Sequence, residues 1–258
     1  MLLHFYKYQG TGNDFIILDN REGTIQLTKE QVAFLCNRHF GIGADGLMLL
    51  NKNDQYDFEM VYFNADGALG SMCGNGGRCL TRFAYDKGIK PTTYKFIASD
   101  GEHEAVIDNN GWVHLKMIDI HEVSYQNDST VLNTGSPHFV KPVNGIDNFD
   151  VYTNGKAIRY NDVYHENGIN VNFVEWKQDE LFVRTYERGV ENETFSCGTG
   201  VTAAAIAMSS DTIGVQETKI NTLGGNLLIK FNKLDAQHFS NVWLCGPATF
   251  IYEGQVTI

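Results

Sequence analysis

Two glycine-rich segments, MCGNGGRC at residues 72–79 and SCGTG at residues 196–200, decide how this sequence is organised. In each segment a cysteine and its following glycines open a stretch of helical composition, which predicts helices over 74–86 and 198–208. Strand-like stretches come before and after both helices. The sequence therefore predicts the same strand–loop–helix–strand plan in its two halves.

The repeat has a measurable offset. Cys197 lies 124 residues after Cys73, and the following glycines and predicted strands keep the same offset. An earlier block, TGNDF at 11–15, resembles TGSPHF at 134–139 at nearly the same offset. If the two glycine-rich turns matched only by coincidence, the strands around them would not keep the same offset. We therefore expect two copies of one unit. Copies related by a pseudo-twofold axis would bring both cysteine loops face to face across a cleft.

The composition limits the classes of function. The 258 residues, 43% of them hydrophobic, suffice for two domains. The net charge is −11 and no cluster of Lys and Arg forms a basic face, which argues against nucleic-acid binding. No apolar run approaches the ~20 residues that cross a bilayer, and the N-terminus does not resemble a signal peptide. We therefore expect a cytoplasmic protein with no membrane partner.

The five cysteines follow no disulfide or metal pattern. Their odd number argues against a disulfide framework, and no CxxC occurs, so we expect no metal site. Cys36, Cys79 and Cys245 fit inert core packing. The duplicated positions of Cys73 and Cys197 favour a chemical role instead.

Two opposed thiols suit the inversion of a tetrahedral carbon. A base removes a proton from one face while an acid delivers one to the other, and the groups exchange roles in the reverse direction. A helix N-terminus lowers the pKa of a thiol from its ordinary value of about 8.5. The amides of the glycine-rich loops also form an anion site that suits a carboxylate. These features predict a cofactor-independent amino-acid epimerase with Cys73 and Cys197 as its acid/base pair.

Other polar residues allow both a functional and a plain structural interpretation. Arg188 could bind a carboxylate and Glu187 an ammonium group, or the two could form a surface ion pair. His138 could support acid–base chemistry or fill a turn. Three asparagines are predicted to lie in turns, where the side chain can serve only the backbone. They are Asn13, Asn170 and Asn172.

At these segments the sequence resembles the diaminopimelate epimerase family over essentially its whole length. Together the matching motifs are highly specific, whereas Cys-Gly-Thr-Gly alone is not. The motifs are GTGNDF at 10–15, NADG at 64–67, MCGNG at 72–76 with Arg78 and Cys79, YERG at 186–189, SCGTG at 196–200 and GPA at 246–248.

The resemblance implies an activity and a fold. The activity is interconversion of LL- and meso-diaminopimelate without a cofactor, in lysine and peptidoglycan-precursor synthesis. The fold is α/β (α+β), with two pseudo-symmetric domains, each a mostly antiparallel barrel-like sheet around a central helix, and an active site in the cleft between them. The implied domains are 1–117 with a returning C-terminal strand at 249–258, and 118–248. A homodimer is implied as well.

The resemblance also implies a role for individual residues. Cys73 and Cys197 are the catalytic acid/base pair, and His138 and Glu187 support the thiols. The residues implied in substrate binding are Asn13, Asn64, Gly74, Asn75, Asn170, Glu187, Arg188, Gly198 and Thr199.

Three positions depart from the family pattern. Gly46 stands where some members carry Gln, and Ser136 stands where many carry Asn. At Glu191 and Asn192 the spacing to the second cysteine is one residue longer than usual. Since Ser is shorter than Asn, the contact with the far end of the substrate is expected to differ.

Three other functions fit parts of the pattern. A proline-racemase-type enzyme uses the same two-cysteine chemistry, but we would expect His in place of Asn75 and a different N-terminal motif. An isomerase of the phenazine-pathway type shares the fold but lacks the cysteine pair. A non-catalytic binding module would bind a ligand without needing either thiol.

Overall fold

A computed structural model describes all 258 residues, which form 17 strands, four α-helices and one 3-10 helix. None of the helices has the length and apolar character that crossing a membrane requires. In chain order the elements are β1 (Leu2–Gly10), β2 (Asn13–Asn20), α1 (Lys29–Cys36), β3 (Gly46–Asn51), β4 (Phe58–Asn64), α2 (Gly74–Asp86), β5 (Tyr94–Ala98), β6 (Gly101–Ile107), β7 (Val113–Lys116), β8 (Val123–Tyr125), β9 (Thr130–Asn133), β10 (Pro137–Pro142), the 3-10 helix (Ile146–Asn148), α3 (Val151–Arg159), β11 (Asn170–Lys177), β12 (Glu180–Glu187), β13 (Asn192–Thr194), α4 (Gly198–Ala207), β14 (Gly214–Thr222), β15 (Gly225–Lys233), β16 (Phe239–Gly246) and β17 (Thr249–Thr257).

The chain divides into two compact units. Unit 1 consists of Met1–Leu115 and Gly246–Ile258, and unit 2 consists of Lys116–Cys245. The C-terminal segment belongs to unit 1 because β17 pairs antiparallel with β1 along its length. Each unit therefore has its own set of strands and its own pair of helices.

The sheet of unit 1 has the strand order β17-β1-β2-β3-β4-β5-β6-β7. Neighbouring strands are antiparallel except β2–β3 and β4–β5, which are parallel. A parallel pair needs a crossover connection, and α1 and α2 supply the two crossovers. The sheet is open, since no pairing joins β17 to β7.

Unit 2 repeats this arrangement strand for strand, in the order β8-β9-β10-β11-β12-β14-β15-β16. Again only two pairs are parallel, β10–β11 and β12–β14, and they are connected through α3 and α4. The short strand β13 is an addition that pairs with β12. The matching topologies confirm the prediction of a two-part α/β fold built from a repeated unit. The expected barrel-like closure is not present, since the strands form open sheets.

The first helix of each unit packs against strands of its own sheet. In unit 1, Leu35 and Cys36 of α1 belong to one apolar cluster with residues of β1, β2 and β3. In unit 2, Val151 of α3 packs with Phe173 and Tyr186 of β11 and β12. These contacts hold each crossover helix on its sheet.

The second helix of each unit is enclosed by the strands around it. Helix α2 contacts β1, β2, β3, β4, β6 and β17, and α4 contacts β9, β10, β11, β12, β14 and β15. In α4 the consecutive residues Ala203, Ala204 and Ala205 are all fully buried. Because consecutive helical residues point about 100° apart, these three side chains cover most of the circumference. Small residues at these three positions allow the strands that face them to approach the helix closely.

We expect Ala203→Leu, Ala204→Leu and Ala205→Leu each to lower the free energy of unfolding by about 1–3 kcal/mol, because no side of α4 has room for a larger side chain. Urea unfolding curves measure the change. The matched control is Ala236→Leu in an exposed loop, which should stay within about 0.5 kcal/mol of the parent. Tolerance of leucine at any of the three helical positions would mean that α4 has an open side.

Candidate functional site

Each unit places a cysteine at the N-cap of its enclosed helix. Cys73 caps α2 with φ −102° and ψ 127°, and Cys197 caps α4 with φ −115° and ψ 114°. Neither side chain makes a capping hydrogen bond. The first amides of a helix have no acceptor within the helix, and with the helix dipole they favour an anion at this end. Both helix starts therefore suit a thiolate or a carboxylate.

In unit 1 the sulfur of Cys73 lies beside Asn13, 3.7 Å from its Oδ1. The Asn13 amide is held at both ends, since Nδ2 donates to Asp45 Oδ2 at 2.7 Å and Oδ1 accepts from Asn75 Nδ2 at 3.2 Å. Asn13 thus presents an oxygen to Cys73. It is the first residue of β2, so the prediction that it lies in a turn was wrong.

Arg78 holds the glycine-rich loop of unit 1 from inside the core. The side chain is fully buried. Its Nη2 donates to Asn75 Oδ1 at 3.1 Å and to Thr11 Oγ1 at 3.2 Å, and its Nη1 donates to Gly74 O at 3.4 Å. These bonds fix the Asn75 amide so that its nitrogen faces Asn13. Sequence reasoning assigned Arg78 no role, although an arginine inside a glycine-rich helix start was a signal.

Charged residues fix the other side of Asn13. Arg38 Nη2 bridges Asp14 and Asp45, at 2.7 Å from a carboxylate oxygen of each, and Lys7 Nζ lies 2.7 Å from Asp14. Burial would raise the pKa of Asp14, but hydrogen bonds from Arg38 and Lys7 outweigh burial and lower the pKa to about 2. Asp45 is thereby held where it accepts from Asn13.

Asn64 and Gly46 pair with each other at the ends of β4 and β3. Asn64 is exposed, its N–H donates to Ala68 O at 2.9 Å, and its side-chain oxygen would lie 3.2 Å from a Cβ at Gly70, which leads into the Cys73 loop. A Cβ at Gly46 would lie 2.5 Å from the ring of Tyr62 and 2.8 Å from Phe63 O. Tyr62 therefore occupies the space that a side chain at position 46 would need, which gives the departure at Gly46 a physical reason.

In unit 2 a chain of hydrogen bonds leads to the sulfur of Cys197. Cys197 Sγ lies 3.5 Å from Thr199 Oγ1, and Thr199 Oγ1 lies 2.9 Å from His138 Nε2. His138 Nδ1 is 3.1 Å from Asn172 Nδ2. Thr134 Oγ1 donates to the Thr199 carbonyl at 2.8 Å and holds the helix start in place. Sequence reasoning named every member of this chain but linked only His138 to the thiols.

His138 is an uncharged buried residue. It lies on β10 with no exposed surface, so the interpretation as a turn residue was wrong. Burial, and secondarily the positive charge of Arg188, lowers the pKa of His138 to about 3. The imidazole is therefore neutral at physiological pH and carries a single N–H.

Asn170 joins Arg188 to the substituted position Ser136. Asn170 Nδ2 donates to Ser136 Oγ at 2.9 Å, and its Oδ1 accepts the Arg188 amide at 2.9 Å. The Arg188 guanidinium donates to Asn167 O at 3.0 Å and to Ser136 Oγ at 3.3 Å, with no carboxylate within 4.0 Å. The surface ion pair with Glu187 is therefore absent. Asn170 and Asn172 lie on β11 and not in turns.

The longer spacing before Cys197 is accommodated in a turn. The Glu191 amide donates to Glu187 O at 2.8 Å, and Glu191 takes a left-handed conformation with φ 57°. The chain then returns as β13 along β12, where Thr194 Oγ1 donates to Glu187 Oε2 at 2.8 Å. The extra residue thus leaves Glu187 at the end of β12 and Cys197 at the start of α4.

The remaining cysteines lie in the core. Burial raises the pKa of Cys36 to about 11 and that of Cys79 to about 12. Cys245 on β16 is fully buried as well. These environments fit the packing role predicted for all three residues. No group of three or more His, Cys, Asp or Glu side chains is placed to hold a metal ion.

Comparison with known sequences identifies the family. The model of the family described as "Diaminopimelate epimerase" matches residues 5–119 and 130–251. The chain belongs to the diaminopimelate epimerase family. Diaminopimelate epimerase of Flavobacterium psychrophilum is 48% identical, with 97% of this chain and 99% of that protein covered. The Chlorobaculum tepidum protein of the same name is 42% identical, with 96% and 99% covered. The chain is accordingly an epimerase-family enzyme.

Solved structures of other enzymes share the fold. A phenazine biosynthesis protein of the PhzF family from Bacillus anthracis matches with a TM-score of 0.72 at 14% identity, over 100% of both chains. A hydroxyproline epimerase from Agrobacterium vitis matches with a TM-score of 0.69 at 14% identity, over 99% of this chain and 92% of that chain. At this level of identity the likeness concerns the fold alone.

We expect His138 to remain neutral, with its proton on Nε2, down to about pH 4, because burial disfavours the imidazolium ion. The unfolded chain binds this proton near pH 6.5 and the folded chain near pH 3, so the free energy of unfolding falls as the pH is lowered between these values. Nitrogen-15 NMR of the imidazole, assigned with His138→Gln, tests this. An imidazole that titrates near pH 6.5 would contradict it.

Proposed function

We propose that this protein interconverts LL- and meso-diaminopimelate by proton transfer at one α-carbon, with Cys73 and Cys197 as acid and base and without a cofactor. The pathway that we propose is the synthesis of lysine and of peptidoglycan precursors. One observation carries the proposal: each of the two repeated units places a cysteine at the N-cap of an enclosed helix, where the side chain makes no capping hydrogen bond. The family membership of the chain supplies the substrate.

The proposed step conserves protons. One cysteine enters as a thiolate and takes the α-hydrogen as a proton, and the other enters as a thiol and gives its proton to the opposite face. The negative charge that develops passes into the substrate carboxylate, where helix amides can stabilise it. The reverse reaction uses the same groups with exchanged roles. This mechanism requires the two sulfurs to reach one carbon from opposite sides.

Substrate recognition is proposed to use both units. Arg188 has no carboxylate partner, so it is suited to bind one from the substrate. The Asn13 and Asn75 amides, the exposed Asn64 and the helix-start amides offer further polar contacts. Glu187 is proposed to take an ammonium group. Asn170 accepts a hydrogen bond from the backbone amide of Arg188 and donates one to the Ser136 hydroxyl.

The substrate proposal predicts deuterium incorporation at the α-carbon when the enzyme is incubated with LL-diaminopimelate in deuterium oxide under reducing conditions. Mass spectrometry and chiral separation should find exchange together with approach to the meso isomer. Exchange with proline or hydroxyproline but not with diaminopimelate would favour a proline-racemase-type enzyme. Ligand binding without any exchange would favour a non-catalytic module.

Variants of single cysteines test the mechanism in the same assay. Cys73→Ala and Cys197→Ala should each lower epimerisation by about 10²–10⁴-fold, the range that an acid or base contributes. The matched control is Cys36→Ala, which removes a core thiol that has no role in the proposal. Near-normal turnover in either loop variant would contradict the two-cysteine mechanism.

We also propose that the enzyme is a cytoplasmic homodimer. A reducing compartment suits chemistry that needs two thiols. On β17, Phe250, Ile251 and Tyr252 are each nearly half exposed, and consecutive strand residues point to opposite faces. Both faces of this strand therefore expose apolar surface, as a protein contact requires.

The dimer proposal predicts the mass of two chains in sedimentation equilibrium. Ile251→Asp should shift the population toward one chain, because a carboxylate would be buried in the contact. The matched control is Ile213→Asp, at an exposed apolar residue of unit 2. A single-chain mass for the parent protein, or loss of the dimer in the control alone, would contradict a contact through β17.

A further inference from the structure

The longer spacing after Arg188 brings in an acidic residue whose carboxylate has several partners. Glu191 Oε1 accepts the Gly189 amide at 3.1 Å, and its Oε2 accepts the Tyr186 hydroxyl at 3.2 Å. Arg159 Nε lies 3.4 Å from the same Oε1. Burial would raise the pKa of Glu191, but the hydrogen bonds and the positive charge of Arg159 outweigh burial and lower it. A charged side chain therefore joins its own turn to β12 and to α3.

The partners of this carboxylate are held by other contacts. Tyr186 is buried on β12, and α3 packs on it so closely that a Cβ at Gly155 would lie 2.4 Å from the Tyr186 Cβ. Burial, and then the bond to Glu191, raises the pKa of Tyr186 to about 12, so its hydroxyl remains a donor. Arg159, the last residue of α3, donates from Nη1 to His165 O at 3.1 Å. Glu191 is thus anchored to fixed positions of unit 2.

The backbone of the turn depends on these contacts. Glu191 has φ 57°, in the left-handed region that disfavours residues other than glycine. Its amide donates to Glu187 O at 2.8 Å, which closes residues 187–191 into one tight turn. The side-chain contacts of Glu191 offset its unfavourable conformation. They also fix the turn in which Arg188 lies.

Arg159 lies directly against Arg188 as well. A Cβ at Gly168 would lie 2.6 Å from Cδ of Arg188 and 2.8 Å from Cζ of Arg159, so the two side chains share the space that this glycine leaves open. Glu191 supplies the carboxylate that pairs with Arg159, whereas the Arg188 guanidinium donates to uncharged oxygens. Glu191 therefore restrains Arg188 through the backbone and through Arg159, without pairing with its charge.

We propose that Glu191 is a positioning residue for Arg188: its carboxylate holds the turn and the Arg159 side chain, so that the Arg188 guanidinium is in place before a substrate carboxylate arrives. A planar guanidinium binds a carboxylate through two parallel hydrogen bonds only in the correct orientation, and fixing it in advance lowers the cost of binding. The inference rests on the proposed function and deepens it, because it gives the longer spacing a role in substrate binding.

Glu191→Gly tests the role of the carboxylate, since glycine accepts the left-handed conformation without strain. It should raise KM for LL-diaminopimelate about three- to tenfold, the cost of ordering one mobile side chain, and change kcat less than about twofold. The matched control is Gln178→Gly, in the exposed turn between β11 and β12, where φ is 56°. Its KM should equal that of the parent.

A second pair of variants displaces Arg188 from below. Gly168→Ala puts a Cβ in the space that the Arg188 and Arg159 side chains share, so both must shift, and KM should again rise. The control, Gly145→Ala, imposes nearly the same backbone strain, because φ is 70° there and 72° at Gly168, but its Cβ would meet nothing within 4 Å. Its KM should stay within about twofold of the parent value.

Nitrogen-15 relaxation of the Arg188 Nε–H group, assigned with Arg188→Lys, tests the inference without turnover. The group should be rigid in the parent and in Gln178→Gly, and mobile in Glu191→Gly. An equally rigid group in Glu191→Gly, or an unchanged KM in both Glu191→Gly and Gly168→Ala, would overturn the inference. Absence of α-carbon exchange in the parent would instead contradict the proposed function, and the relaxation measurement would still decide the role of Glu191.

Discussion

The proposed two-cysteine reaction depends on one constraint: in each unit a cysteine lies at the N-cap of a helix that the surrounding strands enclose. At the start of α4 a Cβ at Gly200 would lie 2.4 Å from the side-chain oxygen of Asn172, so the enclosed helix needs glycine there. The cysteine at each N-cap makes no capping hydrogen bond, and the first amides of each helix favour an anion. A thiolate and a carboxylate are the anions that the proposed reaction needs.

Duplication supplies two such positions, and the surrounding side chains make them different. The backbone conformations of Cys73 and Cys197 differ by less than 15° in φ and ψ. Around Cys73 a buried arginine and an aspartate fix two amides, whereas around Cys197 an asparagine fixes a neutral histidine. A repeated fold therefore provides similar positions for the two cysteines, and the side chains around each copy give them different neighbours.

The sequence predicted the fold because its signals were local. The glycine-rich helix starts and the alanine run are visible in single segments, the offset appears when two such segments are compared, and the structure repeats the strand order accordingly. The fine structure of the site was not predictable in this way. Asn13 and Asn172 have turn-like composition but lie on strands, because Asp45, Phe139 and other residues distant in sequence satisfy their amides. The buried position of Arg78 likewise depends on Thr11 across the unit.

The proposed reaction requires both sulfurs to act on a single substrate carbon. The most direct measurement is a crystal structure of the enzyme with a non-reactive diaminopimelate analogue bound. We predict the sulfurs of Cys73 and Cys197 on opposite sides of the analogue's α-carbon, each within about 3–3.5 Å, the separation of reacting atoms that are ready to react. An analogue bound with one sulfur remote from that carbon would contradict the account.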